Sequence, residues 1–241
     1  MSDAPAQAAE IFTAVWDGLE EERGAAAMVL PKEVIWLGGA PGAGKGTNTA
    51  TILGLRGIDA EPIVMSSLLN TPEMKAIKDS GALVGDADVV RALLKAMLEE
   101  RYRGGAMVDG FPRTTVQVEV IRLIQAKQAE QHAADAAAFP EPLHRACILH
   151  VDRQVAIDRQ LSRGRKVLEH NAKVRETGEG ELQEERATDM SEEYVARRYD
   201  VFIEQSFKAL ESMKDGFAYH FIDANGTIPE VEAEIRREFG G

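Results

Sequence analysis

Residues 38–47 read "GGAPGAGKGT" and hold Gly38, Gly39, Gly42, Gly44 and Gly46 around a lone Lys45. A glycine held in one conformation costs backbone entropy, so this concentration needs a reason. The stretch follows an apolar run, "EVIWL" (33–37), and opens a segment of helical character. In that setting the backbone N–H groups of a Gly-rich turn converge on phosphate oxygens, helped by the positive end of the helix dipole. A Cβ at these positions would block close approach of the anion, and Lys45 supplies a point charge at the far phosphates. The plain alternative is a tight strand-to-helix turn with no ligand; the lysine and the flanking elements argue for phosphate. In the general pattern Ser or Thr directly follows the lysine, whereas here Gly46 intervenes before Thr47. A magnesium ion is therefore expected to be held mainly by phosphates and water.

Outward from this loop, further short apolar runs stand at "PIVM" (62–65), "GAMV" (105–108), "ACILHV" (146–151) and "AYHFI" (218–222). Continuous rather than alternating hydrophobicity suits strands buried on both faces of a parallel sheet. Helical spacing lies between them: Val89, Val90, Leu93, Leu94, Met97 and Leu98 recur on one face. Asp189 with Glu192 has the spacing of a capping box and predicts a helix through about residue 213. Strand–helix alternation of this kind predicts an α/β fold with right-handed crossovers. Residues 1–31 precede the first strand and contain an amphipathic helix, "AAEIFTAVWDGLEEE". Residues 125–142 are rich in Ala and Gln and extend a surface helix, while 164–188 are too polar to be core and form a mobile surface excursion.

The chain of 241 residues is long enough for one domain with an insertion or two. Its formal charge of −12 speaks against a general nucleic-acid binder, which shows a basic face, yet leaves room for a local anion pocket. Cys147 is its single cysteine, so no internal disulfide forms and a reducing compartment is expected. The first 24 residues lack the basic leader and apolar core of a signal peptide, and no apolar run reaches membrane-spanning length. The expectation is a cytoplasmic protein with no nucleic-acid or membrane partner; a monomer is favoured, and the sequence leaves the oligomeric state open.

A second motif, "AMVDGFPRTTVQ" (106–117), ends the third predicted strand. Asp109 falls at the carboxyl end of that strand, where ligands bind in open α/β sheets, and a carboxylate there can orient Mg²⁺-bound waters. Arg113 can fork onto a phosphate, and Gln117 offers a donor and an acceptor to the edge of a base. "GAPGAGKGT" together with "VDGFPRTTVQ" resembles the adenylate kinase family of nucleoside monophosphate kinases, over roughly residues 33–240.

The resemblance implies a three-layer P-loop kinase fold: a five-stranded parallel sheet with small acceptor-binding and lid insertions. It implies a helical extension at 1–31 and a kinase-like domain at 32–241, with the acceptor arm at about 66–90 and the lid at about 164–188. ATP is then expected on Gly39, Gly42, Ala43, Gly44, Lys45, Gly46 and Thr47, on Arg159 and Arg163 of "RQLSRG", and beside Gly226 of "DANGTIPEV". The acceptor, AMP, is expected on Leu83 and Val84 of "DSGALVGD", and on Gly110, Arg113 and Gln117. Arg186 of "ERATD" and Arg197 of "EEYVARRY" match the pair that clamps the phosphoryl group. Lys45, Arg113, Arg163, Arg186 and Arg197 are the implied catalytic set, with Mg²⁺ near Asp109 through water and no zinc. Any lone arginine is ordinarily a solvated charge, and Arg165, Lys166, Arg175 and Arg198 keep that reading.

The resemblance is broken at the acceptor arm. Met65 stands where the family has Thr, Ser66 where it has Gly, and Asn70 where an Arg grips the acceptor phosphate. Losing one charge-assisted contact costs roughly 1.5–3 kcal/mol, which raises the acceptor KM without abolishing the chemistry. Lys75 and Lys78 are candidate substitutes, and Ile228 replaces a frequent Lys at a position where the contact is largely backbone. The expected activity is reversible transfer from ATP to AMP. The alternatives are a kinase for CMP or UMP, and a nucleotide-binding sensor without turnover.

Overall fold

The run "EVIWLGG" becomes strand β1 (Glu33–Gly39), and every one of its residues is buried. Alternate side chains leave it on opposite faces: Val34 and Trp36 enter one core layer, Ile35 and Leu37 the other. The computed structural model describes residues 3–70, 72, 85–185 and 189–239. Among them, β1 joins β2 (Ile63–Val64), β3 (Ala106–Asp109), β4 (Leu143–His150) and β5 (Ala218–Asp223) in one parallel sheet of order β2-β3-β1-β4-β5. The five predicted strands are thus all present, in the arrangement of a P-loop kinase. The chain winds to one side of β1 for β2 and β3 and to the other for β4 and β5. This reversal opens a crevice at the carboxyl ends of the central strands.

Helices α1 (Ala4–Arg23), α4 (Asp86–Met97) and α5 (Thr115–Ala134) cover the Trp36 face. The N-terminal helix docks on its own core: Ala8, Phe12, Val15, Trp16 and Leu19 are buried, and Glu22 pairs with Arg91 of α4. On the other face lie α2 (Lys45–Arg56) and α9 (Ile228–Phe239). A short α3 (Met65–Leu68) follows β2. Cys147 is fully buried, and burial pushes its thiol up, leaving an inert packing group. No helix among the described residues is long and apolar enough to cross a membrane.

Three local readings change in three dimensions. The helix expected over 125–142 ends at Ala134, and its Gln128 is buried rather than on the surface. The polar stretch from residue 164 begins as helix: α6 (Arg153–Thr177) runs through it. Residues 179–185 then return along α6, where buried Asn171 donates to the Gln183 carbonyl (2.8 Å) and accepts from its N–H (2.8 Å). A side chain that completes a backbone pair in this way replaces the apolar core the segment lacks. Asp189 is not the helix cap. Ser191 occupies that position for α7 (Glu192–Val201), and the Asp189 carboxylate is taken by two arginines. The helical path itself continues as expected, through a π-helical turn at Phe202–Phe207, α8 (Lys208–Glu211) and a final turn to Lys214.

A buried polar relay ties the segment after α1 to the sheet. The Trp36 indole donates to His144 Nδ1 (3.2 Å), Nε2 donates to the Gln128 carbonyl oxygen (2.7 Å), and Gln128 donates to the Pro31 carbonyl (3.0 Å). An indole nitrogen only donates, so Nδ1 carries no proton and the ring is neutral. Burial pushes the His144 pKa down to about 4. The neutral form is favoured in the fold, so this contribution is complete above about pH 6.5 and is lost as pH falls through 4. In urea titrations the wild type is expected to lose about 3 kcal/mol more than His144→Gln between pH 6.5 and 4. Parallel pH profiles would refute the relay.

Candidate active site

The phosphate loop leaves β1 at Gly39 and enters α2 at Lys45, where Gly44 caps the helix in the left-handed conformation. Gly42 has φ +89°, and a Cβ on it would sit 2.6 Å from the Ala156 carbonyl oxygen of α6. Only glycine lets the loop lie on α6 this closely. Gln160 of α6 donates to the Pro41 carbonyl from beneath (3.1 Å). The Lys45 ammonium donates to the carbonyls of Gly39 (2.7 Å) and Ala40 (3.4 Å). Burial lowers its pKa first; Asp109 opposes this, while Arg113, Arg198 and Arg163 add to the lowering. Four cationic side chains therefore share one electrostatic neighbourhood with Asp109. Such a field is suited to a multiply charged anion.

Asp109 ends β3 beside Leu37 of β1 in register, and its Oδ1 is buried without a hydrogen-bond partner. A buried carboxylate oxygen left unpaired calls for a ligand, and a metal-bound water is a fitting one. After Gly110, whose φ is +91°, Arg113 donates from Nε to the Gly110 carbonyl (2.9 Å). Its backbone N–H donates to Gln117 Oε1 (2.7 Å), and Gln117 Nε2 donates to Asp86 Oδ1 at the start of α4 (2.8 Å). Met65 is fully buried beneath Gly110 and offers no hydrogen bond there. Asn70 is exposed. Leu83, Val84, Lys75, Lys78 and Arg186 lie outside the described residues.

From α6, Arg159 donates to the carbonyls of Ala224 (2.7 Å), Asn225 (3.1 Å) and Gly226 (2.7 Å), so two residues assigned to the ATP side touch. One turn on, Arg163 binds the Asp189 carboxylate through Nε (2.9 Å) and Nη2 (2.7 Å). Arg198 reaches the other oxygen of the same carboxylate (3.1 Å). Gly164 permits this arrangement, since a Cβ there would meet the Asp189 carbonyl at 2.5 Å. Arg197, the residue expected from the sequence, is exposed on α7; its neighbour Arg198 is the one that joins the cluster. A cleft lined by Arg159, Ser162, Arg163, Lys166, Val167 and Gln183 opens between α6 and the returning segment. Lys166, read from sequence as a plain surface charge, is part of its wall.

No family model matches the chain. Among curated proteins, the chain is 26% identical over 206 residues to an adenylate kinase of Parasynechococcus marenigrum, spanning 83% of this chain and 94% of that protein. The figures for an adenylate kinase of Flavobacterium psychrophilum are 26% over 208 residues, with 83% and 95% covered. An adenylate kinase of Nocardioides sp. is 29% identical over 204 residues, with 82% and 92% covered. Over more than four fifths of its length this chain is thus similar in sequence to curated adenylate kinases.

Proposed function

We propose that the protein transfers a phosphoryl group reversibly from Mg·ATP to AMP, giving two ADP. The observation that carries this reading is the gathering of Lys45, Arg113, Arg163 and Arg198 around one phosphate loop. A protein that merely held ATP needs neither Arg113 for an acceptor phosphate nor the Arg163–Arg198 clamp. The named relatives support the same activity.

Phosphoryl transfer asks the protein for position and charge rather than covalent work. ATP phosphates take the backbone N–H groups of 42–47, and Lys45 neutralises charge on the group in flight. Arg113, with Nε spent on the Gly110 carbonyl, presents its remaining N–H groups to the acceptor phosphate. Arg163 and Arg198 are pre-positioned by Asp189, whose carboxylate holds both in the orientation of a clamp. Arg198 takes the role that the sequence assigned to Arg197; Arg186 remains the proposed second member. The acceptor phosphate is already an anionic nucleophile, so no general base is required, and no histidine is given a part. Asp109 fits a Mg²⁺ ion held through water, and that ion, when bound, neutralises the phosphate oxygens. Closure of 164–188 over the glycine loop is proposed to exclude water, which otherwise accepts the phosphoryl group. The cytoplasm, where both nucleotides are abundant, is the proposed location.

Incubation with Mg·ATP and a panel of monophosphates tests the reading directly, with ADP expected to appear fastest with AMP. Preference for CMP or UMP would move the acceptor assignment, and binding without turnover would replace the enzyme by a sensor. Lys45→Met and Arg198→Ala are each expected to lower kcat by roughly 10²–10³, the cost of losing one charge-stabilising donor. Arg197→Ala should stay within about threefold of wild type, as expected of an exposed side chain. Equal losses at 197 and 198 would refute the corrected assignment. For Asp109→Asn, calorimetry is expected to show ATP binding that Mg²⁺ no longer tightens.

A further inference from the structure

The glycine loop opens with a tight turn. The Ala43 N–H donates to the Ala40 carbonyl (3.0 Å), with Pro41 and Gly42 between them and φ +89° at Gly42. Proline at the second place and a positive φ at the third mark a type II turn. A type I turn closes the same bond with the central peptide turned over, and proline and glycine both fit it at these places. The two forms differ chiefly in the direction of the Pro41–Gly42 peptide. That peptide is trans, so its C=O and its N–H face opposite ways. The carbonyl faces α6, where Gln160 Nε2 donates to it (3.1 Å), and the Gly42 N–H is thereby turned away from α6.

Gln160 is 1% exposed. Its Nε2 donates to two carbonyls, those of Pro41 and of Ala156 (3.2 Å), which fixes the direction of the amide because a carbonyl only accepts. The Ala156 carbonyl lies one turn back along α6 and already takes part in the helical ladder, so the bond to Pro41 is what this side chain adds. Its Oε1 is buried without a hydrogen-bond partner. An apolar side chain would avoid that cost, and local rules of this kind are broken where function requires it. We propose that Gln160 is a positioning residue for the ATP phosphates: by holding the Pro41 carbonyl against α6 it keeps the turn in its type II form and the Gly42 N–H directed at the phosphate oxygens. This inference rests on the proposed nucleotide-kinase reading. With the peptide turned over, the Pro41 carbonyl would take the place of that N–H and set oxygen against the anion. Gln160 sits on α6 between Arg159 and Arg163, so the helix that carries these two guanidiniums also sets the orientation of the loop.

The wild type supplies the first test. Titration with the β,γ-imido analogue of ATP is expected to move the Gly42 amide proton downfield in NMR spectra, as a new bond to a phosphate oxygen does. An unmoved Gly42 signal overturns the proposal. Gln160→Met keeps the volume and removes the donor together with the unpaired oxygen, so its urea midpoint is expected to stay near that of the wild type. Its Kd and KM for ATP are expected to rise about tenfold, the loss of one hydrogen bond to a charged group, while the KM for AMP changes less than about twofold. A merely structural role would lower the urea midpoint and raise both KM values in parallel, and that result overturns the proposal. If the wild type binds no ATP, the kinase reading fails and this inference with it. If the wild type binds ATP and Gln160→Met binds it equally well, only the role of Gln160 is lost.

Discussion

The contact between Gly42 and the first turn of α6 admits no side chain, and the arrangement of charge around it depends on that closeness. The loop rests on Ala156, in the first turn of the helix that begins at Arg153. Arg159 and Arg163 follow one turn apart on that helix, the first pinning the loop after β5 and the second meeting Asp189. Backbone packing at one glycine is thereby translated into the placement of guanidiniums from three segments distant in sequence. The reversal of winding at β1 supplies the crevice, and the close approach decides what lines it.

Charge is distributed against the bulk trend. The chain carries a net −12, yet Lys45, Arg113, Arg163 and Arg198 lie within electrostatic reach of one another, with Asp109 and Asp189 among their acidic neighbours. Each carboxylate has a different task. Asp189 is nearly buried and spends both oxygens on holding arginines. Asp109 keeps a buried oxygen unspent, the condition for serving a metal-bound water. An acidic surface around a cationic crevice also keeps indiscriminate polyanions away while a small anion enters.

The two sides of the crevice are stiffened differently. On the proposed acceptor side, α4 and α5 begin beside Asp86 and Arg113, and the N-terminal helix packs across both. The relay from Trp36 through His144 and Gln128 to Pro31 fastens the end of that extension to β1 and β4. On the donor side the returning segment has almost no apolar content and is held by Asn171 and by the Arg175–Glu185 pair. Apolar packing makes the first side the more stable against local opening, and polar, solvent-exposed bonds leave the second the easier to open.

Much of the fold was legible because it rests on local patterns. Continuous apolar runs marked the five strands, the glycines marked the loop, and strand-end chemistry marked Asp109 and Arg113. Arg159 and Gly226 were each assigned to ATP by the resemblance, and their contact with one another appears only in the structure. What the chain alone left open were matters of rotation and distant company. Arg197 and Arg198 are adjacent in sequence but about 100° apart around α7, and only the packing of α7 on α6 decides which faces Asp189. Asp189 had the spacing of a cap, but a buried carboxylate goes to the strongest donors within reach, and those came from α6 and α7. Asp86 and Gln117 lie far apart along the chain, and no local signal joins them. Sequence by itself determined the five strands, the glycine loop and the helices with a clear apolar face, because backbone preference and burial periodicity act over a few residues. Tertiary structure alone decided which charges meet, because helix phase and the partners of a buried polar group are set only once the layers have packed.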